Sequence, residues 1–291
     1  MSVRHPIISV TGSSGAGTTS VKKTFEHIFR REGIDAAYIE GDAFHRYDRD
    51  EMRRVMQDKE LAGNSHFSHF GPEANLLNEL ESVFCTYSET GLAKTRHYIH
   101  DQEEADLYGV PPGTFTQWQP LPEGTEVLFY EGLHGALISE QVDIARYADL
   151  KIGVVPIINL EWIQKIHRDK SVRGYSTEAV MDTILRRMPD YIHYICPQFV
   201  ETDINFQRVP TVDTSNPFTA RWIPTAEESM VIIRFRTPTG IDFPYLLSMI
   251  DGSFMSRANS IVIPGSKLDL GMQLILTPFI LQIVQRARRA K

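Results

Sequence analysis

GSSGAGTTS, residues 12–20, directly follows the apolar, β-branched run Ile7–Ile8–Ser9–Val10. A strand, a glycine-rich turn and then a helix is the context in which successive backbone N–H groups and a helix N-terminus hold phosphate. The turn comes close to the phosphate-loop pattern G-x-x-x-x-G-K-[ST]. Gly12 and Gly17 take the glycine places and Thr19 the hydroxyl place, but Thr18 stands where the lysine belongs. The whole loop (Gly12, Ser13, Ser14, Gly15, Ala16, Gly17, Thr18, Thr19 and Ser20) is therefore the candidate ATP-binding segment. A Gly/Ser turn that only caps a helix has the same composition; the strand before it and Thr19 favour phosphate. The backbone cradle survives without lysine, and what is missing is one side-chain cation near the β- and γ-phosphates.

Around this turn, apolar β-branched runs alternate with stretches of helical period. Strands are predicted at 6–11, 36–39, 127–130, 150–155, 205–209, 230–235 and 260–263, and helices at 18–31, 49–61, 72–88, 158–172, 176–194 and 268–288. Interleaving of this kind predicts an α/β fold with a largely parallel sheet, mixed toward its later strands. No linker divides residues 1–291, so a single domain is expected. Residues 89–125 are rich in Gly, Pro and aromatics and poor in helical period. A loop of that length inside a compact domain is expected to serve as a lid or an interface.

Composition narrows the function. A net charge of −7 over 291 residues lacks the basic surplus of a nucleic-acid binder. Cys85 and Cys196 form neither a C-x-x-C pair nor a disulfide framework, which points to a reducing, cytoplasmic setting. No secretory signal is read at the N-terminus. The apolar stretch 270–284 contains Gln and Pro and falls short of the roughly 20 residues of a membrane span. It reads as a buried helix with a basic end, and no membrane association is expected.

Three further stretches could carry chemistry. In FYEGLHG (129–135), Glu131 stands at the carboxyl end of a predicted buried strand, where open α/β sheets place ligands. It could help hold magnesium together with the Thr19 hydroxyl; a carboxylate capping the next turn is the alternative. In IEGDAFHRYDRDEMRR (39–54), strand alternation places Glu40 and Asp42 on one side, with His45, Arg46 and Arg49 close behind. A carboxylate backed by cations can take a hydroxyl proton while they hold a phosphate, although a solvated acidic–basic turn reads the same way. In EWIQKIHRDKSVRGYS (161–176), Lys165, Arg168, Asp169 and Arg173 share one helical face. That face could supply the cation Thr18 does not. His66/His69 and His97/His100 have i, i+3 spacing without the cysteines or carboxylates of a zinc site, and His100 suits a substrate contact better. The stretch DTSNPF (213–218) reads only as a turn.

GSSGAGTTS, EGDAFHR, YEGLHG, NLEWIQKIHRD and NFQRVPTVDTSNPF, in this order and spacing, resemble the bacterial phosphoribulokinases over essentially the whole chain. The resemblance implies a P-loop fold like that of the nucleoside-monophosphate kinases, with a mixed sheet of about seven strands flanked by helices. It implies transfer of the ATP γ-phosphoryl group to the 1-hydroxyl of ribulose 5-phosphate in the Calvin cycle, with magnesium. It makes Asp42 the catalytic base, Glu131 a metal carboxylate and Asp169 a second acid holding metal or phosphoryl. His45, Arg49, Lys165, Arg168, Arg173 and His100 become groups for the sugar phosphate or for transition-state charge. It further implies a homo-oligomer activated by NADH and inhibited by AMP through Arg31, Arg234 and Arg257. A uridine-kinase-like nucleoside kinase or a kinase of another sugar phosphate, and a non-catalytic nucleotide-binding regulator, are the alternatives. Asp42 and Asp169 speak against the regulator, and the arginines at 49, 168 and 173 speak against a nucleoside pocket.

Overall fold

The computed structural model describes residues 4–13, 18–171, 174 and 176–290, and only the backbone of residues 18–20, 156 and 171. In chain order the first half comprises β1 (Ile7–Thr11), α1 (Thr18–Glu32), β2 (Ala36–Glu40), α2 (Arg49–Leu61) and α3 (Leu77–Thr90). Then come β3 (Lys94–Thr95), α4 (Gln102–Tyr108), β4 (Gln119–Pro120), β5 (Val127–Gly132) and β6 (Leu150–Pro156). The second half comprises α5 (Ile158–Ser171), α6 (Thr177–Asp190), α7 (Gln198–Glu201), β7 (Ile204–Pro210) and β8 (Ser229–Phe235). It closes with α8 (Phe243–Met249), β9 (Phe254–Arg257), β10 (Ser260–Pro264) and α9 (Leu268–Ala290).

Eight strands form one sheet in the order β2-β5-β1-β6-β7-β8-β10-β9. The first five are parallel, and the last three extend the sheet antiparallel. The sheet is thus α/β and mixed, as the alternation predicts, with one strand more than the seven expected. The extra strand, β9, is a four-residue edge segment, FMSR, mostly exposed. It has no inward-facing apolar series for a sequence pattern to register.

All five side chains of β1 are buried, as a central parallel strand with two covered faces requires. On one face, Phe25, Ile28 and Phe29 of α1 meet Ile275, Ile280 and Val284 of α9 over the sheet. The Phe25 ring lies 4.7 Å from that of Phe129, and each such buried ring contributes about 1.5–3 kcal/mol. On the other face, α3 packs Leu80, Val83, Phe84 and Tyr87 against Leu128 and Tyr130 of β5.

Three boundaries differ from the sequence reading, each for a local reason. The expected helix 72–88 begins as a separate 3₁₀ turn, Pro72–Ala74, and α3 starts only at Leu77. The expected helix 176–194 changes at Asp190 into a π turn, Tyr191–Ile195, just after Pro189, which has no N–H for the α ladder. Residues 89–125 are not an unstructured loop: they hold α4 and a β3–β4 ribbon. The apolar C-terminal stretch also belongs to a longer helix than expected. Gly265–Ala290 is long and apolar enough to cross a membrane by length and composition. Its Met272, Leu276, Ile280 and Val284 are instead packed into the core beneath β8 and β10.

Candidate active site

Because the parallel strands share one direction, Thr11, Glu40, Gly132 and Pro156 all finish at one edge, where such sheets collect ligands. Gly12 donates its N–H to the Gly132 carbonyl (3.2 Å), joining the start of the glycine-rich turn to the end of β5. Ser14, Gly15, Ala16, Gly17 and Arg173 lie outside the described residues, as do the side chains of Thr18, Thr19 and Ser20. The buried Ser13 stands beside Glu161. Glu131 aligns with Val10 on one side and Glu40 on the other. Lys22 of α1 pairs with Glu40 and feels the charge of Glu131.

Glu40 and Asp42, expected on one side by strand alternation, take different partners. The strand stops at Glu40 and Gly41–Phe44 form a 3₁₀ turn, so the period of two is lost one residue before Asp42. Glu40 goes to α1, whereas Asp42 accepts from His45 Nε2 (3.1 Å) and meets His100 Nε2 at 3.4 Å. Burial opposes the charge on Asp42, but His45 and then His100 outweigh it and hold the carboxyl well below its usual range. The His45 ring answers in kind: burial alone would lower its pKa, yet Asp42 and Asn75 leave it raised. His45 Nδ1 bonds Asn75 Oδ1 at 3.0 Å, so both ring nitrogens are fixed. With 39% of its side chain exposed, Asp42 is reachable from solvent, ionised and held in a set direction. These are the requirements for a group that receives a hydroxyl proton.

The 89–125 segment builds the other wall. His100 comes from it, and Arg49 bonds the His100 carbonyl through Nη2 (2.8 Å). Arg96 donates to the carbonyls of Ala43 (2.8 Å) and His45 (2.7 Å), with its guanidinium over the Phe115 ring. Bracing the Asp42 turn in this way is what a bidentate, stacking cation does best.

On α5, Asp169 sits between Lys165 Nζ (2.5 Å) and Arg168 Nε (3.2 Å), as the shared helical face predicts. Lys165 is pushed down to about 8 by burial and then by Arg187, against the pull of Asp169. Burial raises Glu161, opposed by Ser13, Arg187 and Lys165. Phe70, Glu161, Trp162, Lys165, Arg187 and Tyr191 line a cleft between α5 and α6. Arg187 acts on both halves of the site, opposing the charge of His45 as well as that of Lys165. Among the described residues no group of three metal-ligating side chains converges. Magnesium held largely by phosphate oxygens and water needs only one or two carboxylates, and Glu131 and Asp169 are hard oxygen donors suited to it.

Several residues that shape the site escape the sequence reading: Asn75, Arg96, Arg187 and Gln198, while His69 is weighed there only as half of a zinc-spaced pair. The buried Gln198 side chain accepts from Thr11 Oγ1 and Ala136 N and donates to the Leu133 and Tyr194 carbonyls. It ties the ends of β1 and β5 together with all four bonding positions filled. His66 is exposed, while the His69 ring lies 4.7 Å from that of His45. Of the proposed regulatory arginines, Arg234 and Arg257 stand on either side of Ser260 in register. Arg31 instead bonds Gln273 and Thr277 of α9, on the face opposite Arg234. One chain does not bring the three together.

A profile of the Phosphoribulokinase / Uridine kinase family matches residues 7–215. The chain is similar to a phosphoribulokinase of Nitrobacter vulgaris, 73% identical over 99% of both chains. A chromosomal phosphoribulokinase of Cupriavidus necator is 65% identical over 100% of this chain and 99% of the relative. A solved structure, phosphoribulokinase from Rhodobacter spheroides, superposes with a TM-score of 0.92 at 63% identity, covering 99% of this chain and 100% of that one.

Proposed function

Since the chain belongs to the phosphoribulokinase/uridine kinase family, we propose that it transfers the γ-phosphoryl group of ATP to the 1-hydroxyl of ribulose 5-phosphate. The observation that carries the chemistry is Asp42, an ionised carboxylate fixed by two imidazoles at the open sheet edge beside a cationic cleft. Phosphoryl transfer asks mainly for positioning and charge stabilisation, because the hydroxyl proton leaves late. A carboxylate as weakly basic as Asp42 suits that requirement: it orients the hydroxyl and receives the proton once the new P–O bond is forming. His45 keeps Asp42 aimed, and Arg49 and His100 form the acceptor wall. Lys165 and Arg168 meet the charge that Thr18 cannot, and Asp169 keeps both in place. Arg173 joins this set by its position in the sequence.

The turn 12–20 cradles the phosphates, and magnesium would be held by Glu131, Asp169 and the Thr19 hydroxyl. When bound, magnesium neutralises charge on the transferring phosphates. Residues 1–291 act as one catalytic domain in the cytoplasm. NADH activation and AMP inhibition would use Arg31, Arg234 and Arg257. Because Arg31 lies across the sheet from Arg234, a shared effector site calls for a neighbouring copy in a homo-oligomer. The deciding experiment offers ATP with ribulose 5-phosphate, uridine and other sugar phosphates separately, with the product identified by phosphorus NMR. Formation of the 1,5-bisphosphate is expected. Turnover of uridine alone, or of nothing, would overturn the reading.

A further inference from the structure

Among the described residues, His69 is the site histidine whose ring makes no hydrogen bond to the protein. His45 is held at both nitrogens, His100 meets Asp42, and His134 donates to the Phe70 carbonyl at 2.9 Å. His69 Nδ1 is enclosed and has no hydrogen-bond partner. The half-buried ring is nevertheless held in place from two directions. Its backbone carbonyl accepts from Asn75 Nδ2 (2.8 Å), the same side chain that fixes His45, and its ring lies against the His45 ring. The other ring nitrogen, Nε2, is not enclosed and bonds to no protein group among the described residues, so it is the atom a ligand can reach.

Building on the kinase reading above, we propose that His69 is a substrate-binding residue that donates from Nε2 to a hydroxyl oxygen of the acceptor sugar phosphate. The tautomer follows from burial: an enclosed N–H at Nδ1 would be an orphan donor, the rarer and costlier defect, so the proton belongs on Nε2. Position follows from the charges around it. Asp42, Arg187 and Lys165 are all close enough to bear on the ring, which lies 4.7 Å from that of His45, so His69 belongs to the neighbourhood of both halves of the site. Burial, His45 and Arg187 keep it neutral. A neutral donor is a poor choice for a phosphate that nearby cations hold about twice as strongly. For a sugar hydroxyl it is well matched, and it adds no charge beside Asp42.

The test uses His69→Leu, which removes the donor, and His69→Gln, which restores one. Both are checked by circular dichroism and assayed beside the wild type. In His69→Leu the KM for ribulose 5-phosphate should rise roughly 5- to 100-fold, the span for a bond lost in a buried site, with the KM for ATP unchanged. His69→Gln should recover part of the loss. Inorganic phosphate, which has no sugar hydroxyl, should compete with the sugar phosphate equally well in all three proteins. A folded His69→Leu with unchanged KM overturns the proposal, as does a matching loss of inhibition by inorganic phosphate, which would make His69 a phosphate ligand. A wild type inactive with ribulose 5-phosphate would sink the functional reading as well, whereas an active wild type with indifferent variants sinks this inference alone.

Discussion

His134 should make the fold acid-sensitive by an amount that can be read off its surroundings. It lies just past β5, buried, with Nε2 donating to the Phe70 carbonyl. Burial, and to a lesser degree the charge of His45, pushes its pKa from 6.5 down to about 4. Above pH 6.5 the ring is neutral in both folded and unfolded chains and contributes no pH dependence. Between 6.5 and 4 the unfolded chain takes up a proton that the folded chain refuses, so stability falls as pH falls. The gap corresponds to roughly 3 kcal/mol below both values, with a slope near pH 5 of about 1 kcal/mol per pH unit. His134→Gln keeps a donor for Phe70 and removes the titration. It should be less stable than wild type at pH 7.5, and the difference should shrink by up to ~3 kcal/mol by pH 4. Urea unfolding followed by far-UV circular dichroism at half-unit pH steps measures this directly. His45 and His69 titrate in both proteins, so the difference isolates His134. Parallel stability curves for the two proteins would refute the reasoning.

Asp42→Asn keeps the shape and loses the basic oxygen, so steady-state turnover should fall about 10²–10⁴-fold with both KM values modestly changed. A folded variant retaining a tenth of wild-type turnover would move the base elsewhere, with Asp169 the next candidate. Lys165→Ala should lower turnover by at least about 10²-fold while ATP binding, measured by calorimetry, is largely kept; near wild-type rates would remove Lys165 as the replacement cation. Arg257→Ala should abolish several-fold NADH stimulation, in line with couplings of about 1–3 kcal/mol, and leave basal turnover as it was. An unaltered NADH response would exclude Arg257 from the effector site.

What the sequence made legible was local. The strand–turn–helix at 7–32, the acid after β2, the carboxylate ending β5 and the Lys165–Asp169 pair each lie within one short segment, and spacing alone aligns them. What stayed hidden depends on distant partners. Gln198 matters because residues 11, 133, 136 and 194 converge on its one side chain. Arg96 matters because a segment without helical period folds back onto the 42–45 turn. Arg186 and Arg187 are adjacent in the chain, and nothing local tells them apart. Yet Arg186 turns to Glu60 and Asp182, and only Arg187 lines the cleft. Glu40 and Asp42 were misaligned because a 3₁₀ turn begins between them, a change of period that no composition announces.

The turn bearing Asp42 and the strand end bearing Glu131 meet where neither backbone has room for a side chain. A Cβ on Gly41 would stand 2.7 Å from the Gly132 Cα, and one on Gly132 would stand 2.6 Å from the Gly41 Cα. Contacts that close do not occur, so alanine at either place must drive the two backbones apart. Asp42 and Glu131, the proposed proton acceptor and metal carboxylate, are therefore held on one anvil, their separation set by a glycine–glycine seam. On the proposed reading, adjustment to bound substrates would fall to the cationic α5–α6 side, because this seam has no slack to give.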